Sequence, residues 1–372
     1  NLITLYHLIF IVKIKNNMRV CILGNGLSAI SLAKALVNQN IYVDIFTEKK
    51  ELKLNKSRTL GISNNNIHFF NKYIINIEKL IWKLKKIEIF SENLKKENLL
   101  NFENDNNYLF STVKNYDLYE LLIKDLNKNK YYKKKLYRGK SLSFINEYDL
   151  IINCDYFHNI TKKYFNKKIV KEYNSRAYTT IIKHKNILND SAIQIFTKKG
   201  PLAFLPISNK ETSIVYSINK KEENIEELIK SYNFRYKINE IRKIDSFELK
   251  FLNLRSYYHN NILAFGDLLH RIHPLAGQGF NMTIRDIKTF INIIKNRNEL
   301  GLPLDISVND EFENSLKHKN YIFSNGVDLI HKFFNLERKT KNTILSKSIQ
   351  VLGKNPSINK MFTKIADRGI IF

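Results

Sequence analysis

The sequence predicts a doubly wound α/β fold with an inserted antiparallel β-sheet and a helical C-terminal region. Two glycine-rich turns, at residues 24–29 and 266–281, each follow an apolar strand-like run and precede a helical pattern. Residues 173–254 change to short strands with polar connections, which indicates an antiparallel sheet distinct from a parallel one. Residues 311–372 carry amphipathic helical patterns.

Composition indicates a globular rather than a disordered protein. It has 372 residues, of which 44% are hydrophobic and 12% aromatic, enough for one large or two modest cores. Its two cysteines, Cys21 and Cys154, lie in apolar strand-like runs and form no metal-binding spacing. A reducing, cytoplasmic compartment is therefore the simpler interpretation.

The formal charge of +26 suggests a polyanionic partner, either nucleic acid or an anionic membrane surface. The densest cluster, residues 128–140, interleaves lysines with tyrosines and only superficially resembles a nucleic-acid patch. Lysine recurs throughout the chain, so a composition bias accounts for most of the charge. We expect no nucleic-acid partner and leave open a peripheral association with the inner membrane.

Residues 1–17 are treated as an N-terminal extension outside the fold, whose native status the sequence leaves open. The apolar run Asn1–Val12 is shorter than the roughly 20 residues that span a bilayer. It also lacks the basic start and the cleavage site of a signal peptide. Met18 directly precedes the first strand and is a candidate start.

The first turn matches a dinucleotide-binding fingerprint. The strand Arg19–Leu23 leads into Gly24-Asn25-Gly26-Leu27-Ser28-Ala29 and a helix to about Asn38. Gly24 suits the tight turn, Gly26 allows a pyrophosphate to approach, and Ala29 packs closely on the strand.

An acidic residue follows at the expected distance. A second strand, Ile41–Phe46, ends near Glu48, which lies 24 positions after Gly24, where a carboxylate should meet a ribose 2′-hydroxyl. Asp44 is the rival candidate, but its position within the strand makes it the weaker one.

The second turn follows the apolar run 261–265. Gly266 and Asp267 come at the strand end, and Pro274, Gly277 and Gly279 remove side-chain bulk before a helix from about residue 280 to 294. Such a loop offers free N–H groups and a positive helix end to a negatively charged ligand.

This second turn resembles the second FAD fingerprint of the single-component, p-hydroxybenzoate-hydroxylase-like (group A) aromatic monooxygenases. Gly266-Asp267, His273-Pro274-Leu275-Ala276-Gly277-Gln278-Gly279-Phe280-Asn281 and Arg285-Asp286 are most similar to the ubiquinone-biosynthesis hydroxylase branch. The resemblance implies that Pro274, Ala276 and Gly277 face the flavin. The predicted cofactor-binding set is Gly24, Gly26, Leu27, Ser28, Ala29, Glu48, Arg58, Gly266, Asp267, Gly277, Gln278, Gly279, Phe280 and Asn281.

Two further segments carry the resemblance. Arg58, in Ser57–Ser63, matches an arginine that reaches the flavin region in the family, although a solvated loop arginine is the competing interpretation. Residues 200–206 resemble the strand between substrate and flavin. Leu202, Phe204 and Pro206 are the predicted substrate wall, with a plain core strand as the equally weighted alternative.

Two segments depart from the family. The helix at residues 115–126 has Tyr116 where a basic residue usually faces the FAD phosphates, so no phosphate contact is carried over. At the strand 150–154 the family has Gly-Ala-Asp-Gly, and only Asp155 remains here. That segment is associated with NAD(P)H handling, so the electron donor stays unresolved between NAD(P)H and a ferredoxin-type protein.

The resemblance implies an FAD-dependent monooxygenase that hydroxylates the ring of a polyprenyl phenol in ubiquinone biosynthesis, with O2 activated as a flavin C4a-hydroperoxide. The flavin carries this chemistry, so no catalytic side chain or metal is predicted, and His270 and His273 are interpreted as loop-structural. Two alternatives stay open. One is another FAD oxidoreductase on this scaffold, such as a polyprenyl reductase, and the other is a non-catalytic, membrane-associated partner of a biosynthetic complex.

The predicted domain division follows from these segments. The FAD domain takes residues 18–70, 100–170 and 255–310, the substrate domain takes 71–99 and 171–254, and C-terminal helices take 311–372. In the last region Val327, Leu329, Ile330, Phe333 and Phe334 form an apolar stripe, followed by Ile344, Leu345, Ile349 and Leu352. We expect helix packing there, with contact to a membrane as the alternative.

Overall fold

The structure, a computed structural model, describes residues 18–48, 54–92, 97–103, 108–137, 147–218, 224–274, 277–340, 344–353 and 355–368. The predicted extension at residues 1–17 lies outside them. The strands are β1 (Arg19–Leu23), β2 (Tyr42–Thr47), β3 (Thr59–Ser63), β4 (Trp82–Leu84), β5 (Lys86–Ser91), β6 (Asn98–Glu103), β7 (Phe110–Lys114), β8 (Tyr132–Leu136), β9 (Leu150–Asn153), β10 (Lys168–His184), β11 (Ser191–Phe196), β12 (Pro201–Pro206), β13 (Glu211–Ile218), β14 (Ile238–Ile241), β15 (Asp245–Leu254), β16 (Tyr258–His259), β17 (Ile262–Ala264) and β18 (His270–Arg271). The helices are α1 (Leu27–Val37), α2 (Asn64–Tyr73), α3 (Asn115–Leu126), α4 (Asn159–Tyr164), α5 (Ile225–Tyr232), α6 (Gln278–Glu299), α7 (Ser307–Thr340), α8 (Ile344–Gly353) and α9 (Pro356–Arg368).

A six-stranded sheet carries both glycine turns. Its order is β16-β17-β9-β1-β2-β8, and all its pairs are parallel except β16 with β17. The chain moves to one side of β1 through β2 and β8, and to the other side through β9 and β17. The switch point therefore lies between β1 and β9, where open α/β sheets bind ligands beyond the carboxyl ends of the strands.

The inserted sheet is larger and more mixed than predicted. Nine strands take the order β18-β15-β10-β13-β12-β11-β5-β6, with β14 beside β10. The expected antiparallel pairs are present, but β5 pairs parallel with β11. β5 and β11 are separated by about 100 residues, far more than a hairpin turn contains. The local sequence pattern therefore could not reveal that these two strands pair. A small sheet in the order β3-β7-β4 completes the β-structure.

The helical region differs from its prediction at one point. Beyond Asp286 the sequence has a helical pattern as far as Lys319, but α6 ends at Glu299 and α7 begins only at Ser307. Gly301 has a φ of 66° and Pro303 follows, a combination that ends a helix and prevents its immediate continuation. The resulting turn lets α7 pack back along α6.

Two apolar cores hold these layers. The first fills the space around the parallel sheet and includes α1, α3 and α6. The second lies on one face of the nine-stranded sheet, beneath α5. Among the described residues, no helix combines the length and the apolar composition needed to cross a bilayer.

Candidate functional site

The first glycine turn forms an open N-terminus on α1. Gly24 has a φ of 102°, a conformation that favours glycine, and its N–H donates to the Phe46 carbonyl at 2.9 Å. Gly26 is the N-cap of α1 and no side chain caps the helix. A Cβ added to Gly26 would meet no described atom within 4 Å, so open space lies beside the first turn of this helix, whose first N–H groups have no side-chain cap.

The second turn converges on the first. Gly266 has a φ of 63°, and a Cβ there would lie only 2.7 Å from the Ser28 Cβ. A Cβ on Gly24 would lie 3.4 Å from the Asp155 Cβ. Burial raises the pKa of Cys154, and the nearby charges of Asp267 and Asp155 raise it further. The tips of β1, β9 and β17 thus meet around one space, with the Asp267 side chain exposed.

The N-terminus of α6 is built like that of α1. Its N-cap, Gly277, has a φ of 65° and lies so close to β3 that a Cβ would come 3.2 Å from the Gly61 Cα. No side chain caps this helix, and a Cβ on Gly279 would point into open space. Ala276, predicted to face the flavin, lies outside the described residues, whereas Pro274 is half-buried.

Asn281 fastens this loop to the neighbouring strand. Its amide nitrogen donates to the carbonyls of Gly61 and Gly277 at 3.0 and 3.1 Å, and its oxygen accepts from the Ser63 N–H and the Asn66 side chain at 2.9 and 2.7 Å. The side chain is fully buried. The hydrogen bonds of this side chain are made within the protein, so any contact of Asn281 with the cofactor, which stays a prediction, would come from its backbone.

Phe280, also predicted to bind the cofactor, is half-buried and packs toward Phe70, with 6.3 Å between ring centroids. Leu27 is half-buried against the first core, and Ala29 is completely buried in it. These three side chains shape the turns through packing.

The two candidate acids lie in different surroundings. Asp44 is buried and accepts hydrogen bonds from Tyr148 at 2.5 Å and Lys135 at 2.7 Å. Burial acts to raise the pKa of Asp44, but the bonds from Lys135 and Tyr148 lower it overall. Glu48 is exposed at the tip of β2. The Asp44 carboxylate is therefore bonded within the protein, whereas the Glu48 carboxylate is open to a ligand, and its ribose role stays a prediction.

The predicted Arg58, and Lys56, which sequence reasoning missed, each lie over an aromatic ring. Arg58 is exposed, with its guanidinium 6.0 Å from the Phe247 ring. Lys56 lies 5.0 Å above the Tyr116 ring, at the start of α3. Lys56 thus supplies a cation where Tyr116 replaces the usual basic residue. No local pattern could have shown this, because the two residues are 60 positions apart.

The divergent Asp155 segment is a self-contained turn. The Asn153 side chain accepts from the Asp155 N–H at 3.1 Å and donates to the Thr161 hydroxyl at 2.7 Å. That hydroxyl donates to the Asp155 carbonyl at 2.7 Å, and the Asp155 carboxylate accepts from the Phe157 N–H at 2.9 Å. Asp155 therefore closes the wall beside Gly24 through a local network.

The predicted substrate wall has two faces. Leu202 and Phe204 point into the second core beneath α5. Leu205 points to the opposite face, where it packs in a cluster with Phe110. A Cβ on Gly277 would lie 3.3 Å from the Phe110 ring, so this opposite face is the one toward the loop. Because side chains alternate along a strand, Leu202 and Phe204 face the second core, and Leu205 faces the loop.

Pro206 contributes through its backbone, because its carbonyl accepts a hydrogen bond from the Thr112 hydroxyl and joins the nine-stranded sheet to the small one.

The two loop histidines differ. His270 contacts the buried Asp286 carboxylate at 2.5 Å, and Asp286 also accepts from Asn320 at 3.0 Å, which ties β18 to α6 and α7. His273 is buried with no hydrogen-bond partner on either ring nitrogen among the described residues. Within those residues, no three His, Cys, Asp or Glu side chains meet as a metal-binding group.

The site fits the FAD that the resemblance implies. Two helix N-termini without side-chain caps face open space over Gly26 and Gly279, which suits an anionic pyrophosphate. The buried amide atoms Asn25 Nδ2 and Gln278 Oε1, one beside each turn, have no partner among the described residues. Buried polar groups rarely stay unpaired, so these atoms indicate a polar ligand.

The chain is similar in sequence to monooxygenases. It is 21% identical over 429 residues to the mitochondrial ubiquinone biosynthesis monooxygenase COQ6 of Drosophila melanogaster, covering 92% of this chain and 88% of that protein. It is 28% identical over 161 residues to the 3-demethoxyubiquinol 3-hydroxylase of Escherichia coli, but this match covers only 40% of this chain and 41% of the relative. No family model matches the chain.

Solved structures share the fold. The p-nitrophenol 4-monooxygenase PnpA from Pseudomonas putida superimposes with a TM-score of 0.76 at 10% identity, covering 95% of this chain and 100% of that one. HpxO from Klebsiella pneumoniae, complexed with FAD and uric acid, has a TM-score of 0.73 at 11% identity, covering 95% and 98%. The predicted resemblance and the predicted fold class are confirmed.

Proposed function

We propose that this chain, a relative of the ubiquinone-biosynthesis monooxygenases, is an FAD-dependent monooxygenase that hydroxylates the aromatic ring of a polyprenyl phenol. The convergence of the two glycine turns carries the proposal. The close approach of Gly266 to Ser28, and of Gly24 to Asp155, brings the uncapped N-terminus of α1 beside the exposed Asp267, and the same second turn leads into the uncapped N-terminus of α6.

The residues around that space have distinct roles toward FAD. The N–H groups that follow Gly26 would hold the pyrophosphate, Glu48 would bind the adenosine ribose, and Asp267 would bind the ribityl chain. The N-terminus of α6, beginning at Gln278, would favour negative charge on the flavin ring system. When bound, the flavin supplies activation of O2 and transfer of one oxygen atom to an electron-rich ring.

The protein supplies a dry compartment beside this ring. Phe110 rests against Gly61 and Gly277, and Leu205 and Ala192 pack with it on the facing sheet. An apolar wall of this kind excludes water from the reacting atoms. The domain division predicted from sequence remains a proposal, with the nine-stranded sheet forming the substrate side.

The decisive experiment combines a spectrum with product analysis. The purified protein should show the absorbance of oxidised FAD and, with a reductant and a short-chain prenyl phenol, should consume O2 and yield a ring-hydroxylated product. Incorporation of one labelled atom from 18O2 is the expected result. A flavin-bound protein that reduces prenyl double bonds without O2 uptake would support the reductase alternative instead. Bound flavin that no donor reduces would favour a non-catalytic partner.

A membrane surface is the proposed location of this activity. On α7 the side chains of Ile322, Leu329 and Leu336, spaced by seven residues on one helix face, are exposed by 44%, 65% and 56%. The lysines Lys319 and Lys332 are exposed nearby. Apolar side chains flanked by lysines suit an anionic bilayer that holds a polyprenyl substrate. Assembly into a ubiquinone-biosynthesis complex remains part of this proposal.

A further inference from the structure

His273 is a buried imidazole that lacks a hydrogen-bond partner. Its side chain is 1% exposed, and neither Nδ1 nor Nε2 has a partner among the described residues. Burial, and then the neighbouring His331, lower the pKa of His273 well below its usual range, so the ring is neutral at physiological pH. A neutral imidazole carries one donor and one acceptor, and leaving both unpaired is costly.

Aromatic rings surround this imidazole. His331 of α7 stacks on it with 4.0 Å between centroids and 23° between planes. Tyr173 of β10 meets it edge-on at 5.3 Å and meets His331 at 5.0 Å. Together these three residues form a slot that holds flat rings face to face.

A charged group holds the slot in place. The Asp328 carboxylate accepts from the Tyr173 hydroxyl at 3.0 Å and from Lys171 at 2.7 Å, and also pairs with Lys332 at 3.3 Å. Burial raises the pKa of Tyr173, and the Asp328 charge raises it further, so the phenol of Tyr173 stays protonated. The Tyr173 hydroxyl therefore donates its hydrogen bond to Asp328 and not to His273.

The slot lies beside a cleft, with His331 between them. His331 lines this small, partly open cleft between α7 and the turn after β11, together with Phe196, Phe334 and Asn335. Phe196 and Phe334 stack with 3.5 Å between centroids at its edge. On the other side, His273 directly precedes Pro274 and the loop proposed to face the flavin. His331 thus separates an aromatic cleft from an unpaired imidazole next to the reaction site.

We propose that His273 is the hydrogen-bonding partner of the ring hydroxyl of the phenolic substrate, whose ring takes the place that the His331 ring holds here. This inference rests on the proposed function for the identity of the substrate. His273 acts as a positioning residue, because a hydrogen bond to the hydroxyl fixes which ring carbon faces the flavin. The stacked slot accepts any flat phenol, and only the imidazole nitrogens select for the hydroxyl.

The test measures binding of 4-nitrophenol to the FAD-loaded protein by equilibrium dialysis at mildly acidic pH, where the probe keeps its hydroxyl proton. His273→Phe keeps a flat ring and removes both nitrogens, and we expect about tenfold weaker binding. His273→Asn and His273→Gln place an amide near Nδ1 and Nε2, respectively, and one of them should restore binding. His259→Phe, at an exposed histidine stacked on Tyr164, is the matched control and should bind as the wild type does.

Two results would overturn the inference: no binding of the probe by the wild type, or equal binding by the wild type and His273→Phe. A purely structural His273 would lower the melting temperature of His273→Phe, whereas removing unpaired nitrogens should leave it equal or higher. Failure of this inference can be distinguished from failure of the proposed function. His273-dependent probe binding without O2 uptake would leave the site standing and remove the monooxygenase assignment, and O2-coupled hydroxylation with unchanged binding would do the reverse.

Discussion

Single residues around the glycine turns show which predicted contacts are open to a ligand and which are already occupied. Asp267 and Glu48 are exposed at strand tips. Asp44 and Asn281 are buried and bonded within the protein. Residue type alone does not separate these pairs, because carboxylates and amides serve equally well as ligands and as internal hydrogen-bonding groups.

Substitution at the turns should remove FAD and leave the fold. In Gly26→Val the new side chain would occupy space that no described atom fills, so the chain should fold while the pyrophosphate is displaced. Asp267→Ala removes an exposed carboxylate and should likewise cost little stability. We expect the ratio of FAD to protein, read from the visible spectrum, to fall at least about tenfold in both.

The control for both variants is Gly326→Ala. Gly326 lies within α7, where an added Cβ also meets no described atom, and this variant should retain FAD. Stoichiometric FAD in Gly26→Val and Asp267→Ala would show that the turns do not bind the cofactor.

At the scale of elements, long-range polar contacts hold the C-terminal helices against the two sheets. Asp286 on α6 joins β18 to α7 through His270 and Asn320. The Asp367 side chain on α9 accepts from the Asn65 N–H at the start of α2, at 2.9 Å. Asp328 on α7 binds Lys171 and Tyr173 of β10. Removing one of these carboxylates should therefore loosen a helix rather than a single contact.

Asp328→Asn should weaken the attachment of α7 and change the acid stability. Burial acts to raise the pKa of Asp328, but its bonds to Lys171 and Tyr173 lower it overall. A lowered folded-state pKa contributes stability above the ordinary carboxyl pKa of about 3.9, and this contribution is lost as the pH falls through the lowered value. We expect Asp328→Asn to reduce the free energy of unfolding by about 1–3 kcal/mol at neutral pH.

Denaturant titrations at several pH values check this expectation. The stability difference between wild type and Asp328→Asn should be constant near neutrality and shrink below about pH 4. Asp310→Asn, on the same helix but exposed, should show little difference at any pH. A difference for Asp328→Asn that grows on acidification would contradict the sign of the shift.

The whole molecule combines a strongly basic surface with an exposed apolar helix face. The net charge of +26 acts over the distance at which a partner or a membrane first meets the protein. The net charge mainly affects the rate at which a partner is encountered, whereas contacts at close range determine which partner binds.

Association with lipid should need both the exposed apolar side chains and the nearby lysines of α7. Leu329→Ser should reduce cosedimentation with vesicles of anionic phospholipid several-fold, since the side chain is 65% exposed. Leu188→Ser, at a 77% exposed apolar residue away from α7, is the matched control and should bind as the wild type does. Equal sedimentation of the wild type with neutral and anionic vesicles would argue against an electrostatic contribution.

The electron donor stays unresolved, and an external protein is needed if the divergent Asp155 segment has lost its role toward a nicotinamide. The segment around Asp155 lacks the glycines of the family motif and forms a local turn instead, so direct reduction by NADPH should be slow. An acidic ferredoxin-type donor would suit the basic surface, and its encounter rate should fall as salt rises. Stopped-flow measurement of flavin bleaching by NADPH, with a phenol analogue present, tests whether a protein donor is needed. Reduction of the flavin in well under a second would rule out that need.

The sequence by itself determined those elements whose characteristic pattern lies within one continuous segment. The α3 helix was expected at residues 115–126 and occupies Asn115–Leu126, because its apolar period of 3.6 lies within one segment. Both glycine turns were recognisable because the chain conformation at Gly24 and Gly277 needs glycine whatever surrounds it. The fold class followed from those turns and from the alternating strands between them.

Only the tertiary structure decided how these elements face one another. The pairing of β5 with β11, the cation that Lys56 brings to Tyr116 and the slot around His273 each join segments far apart in sequence. The face of β12 that meets the loop could not be chosen from its sequence, since Leu202 and Leu205 are equally apolar. Local pattern shows that a side chain is apolar or polar, and packing between distant segments decides what it touches.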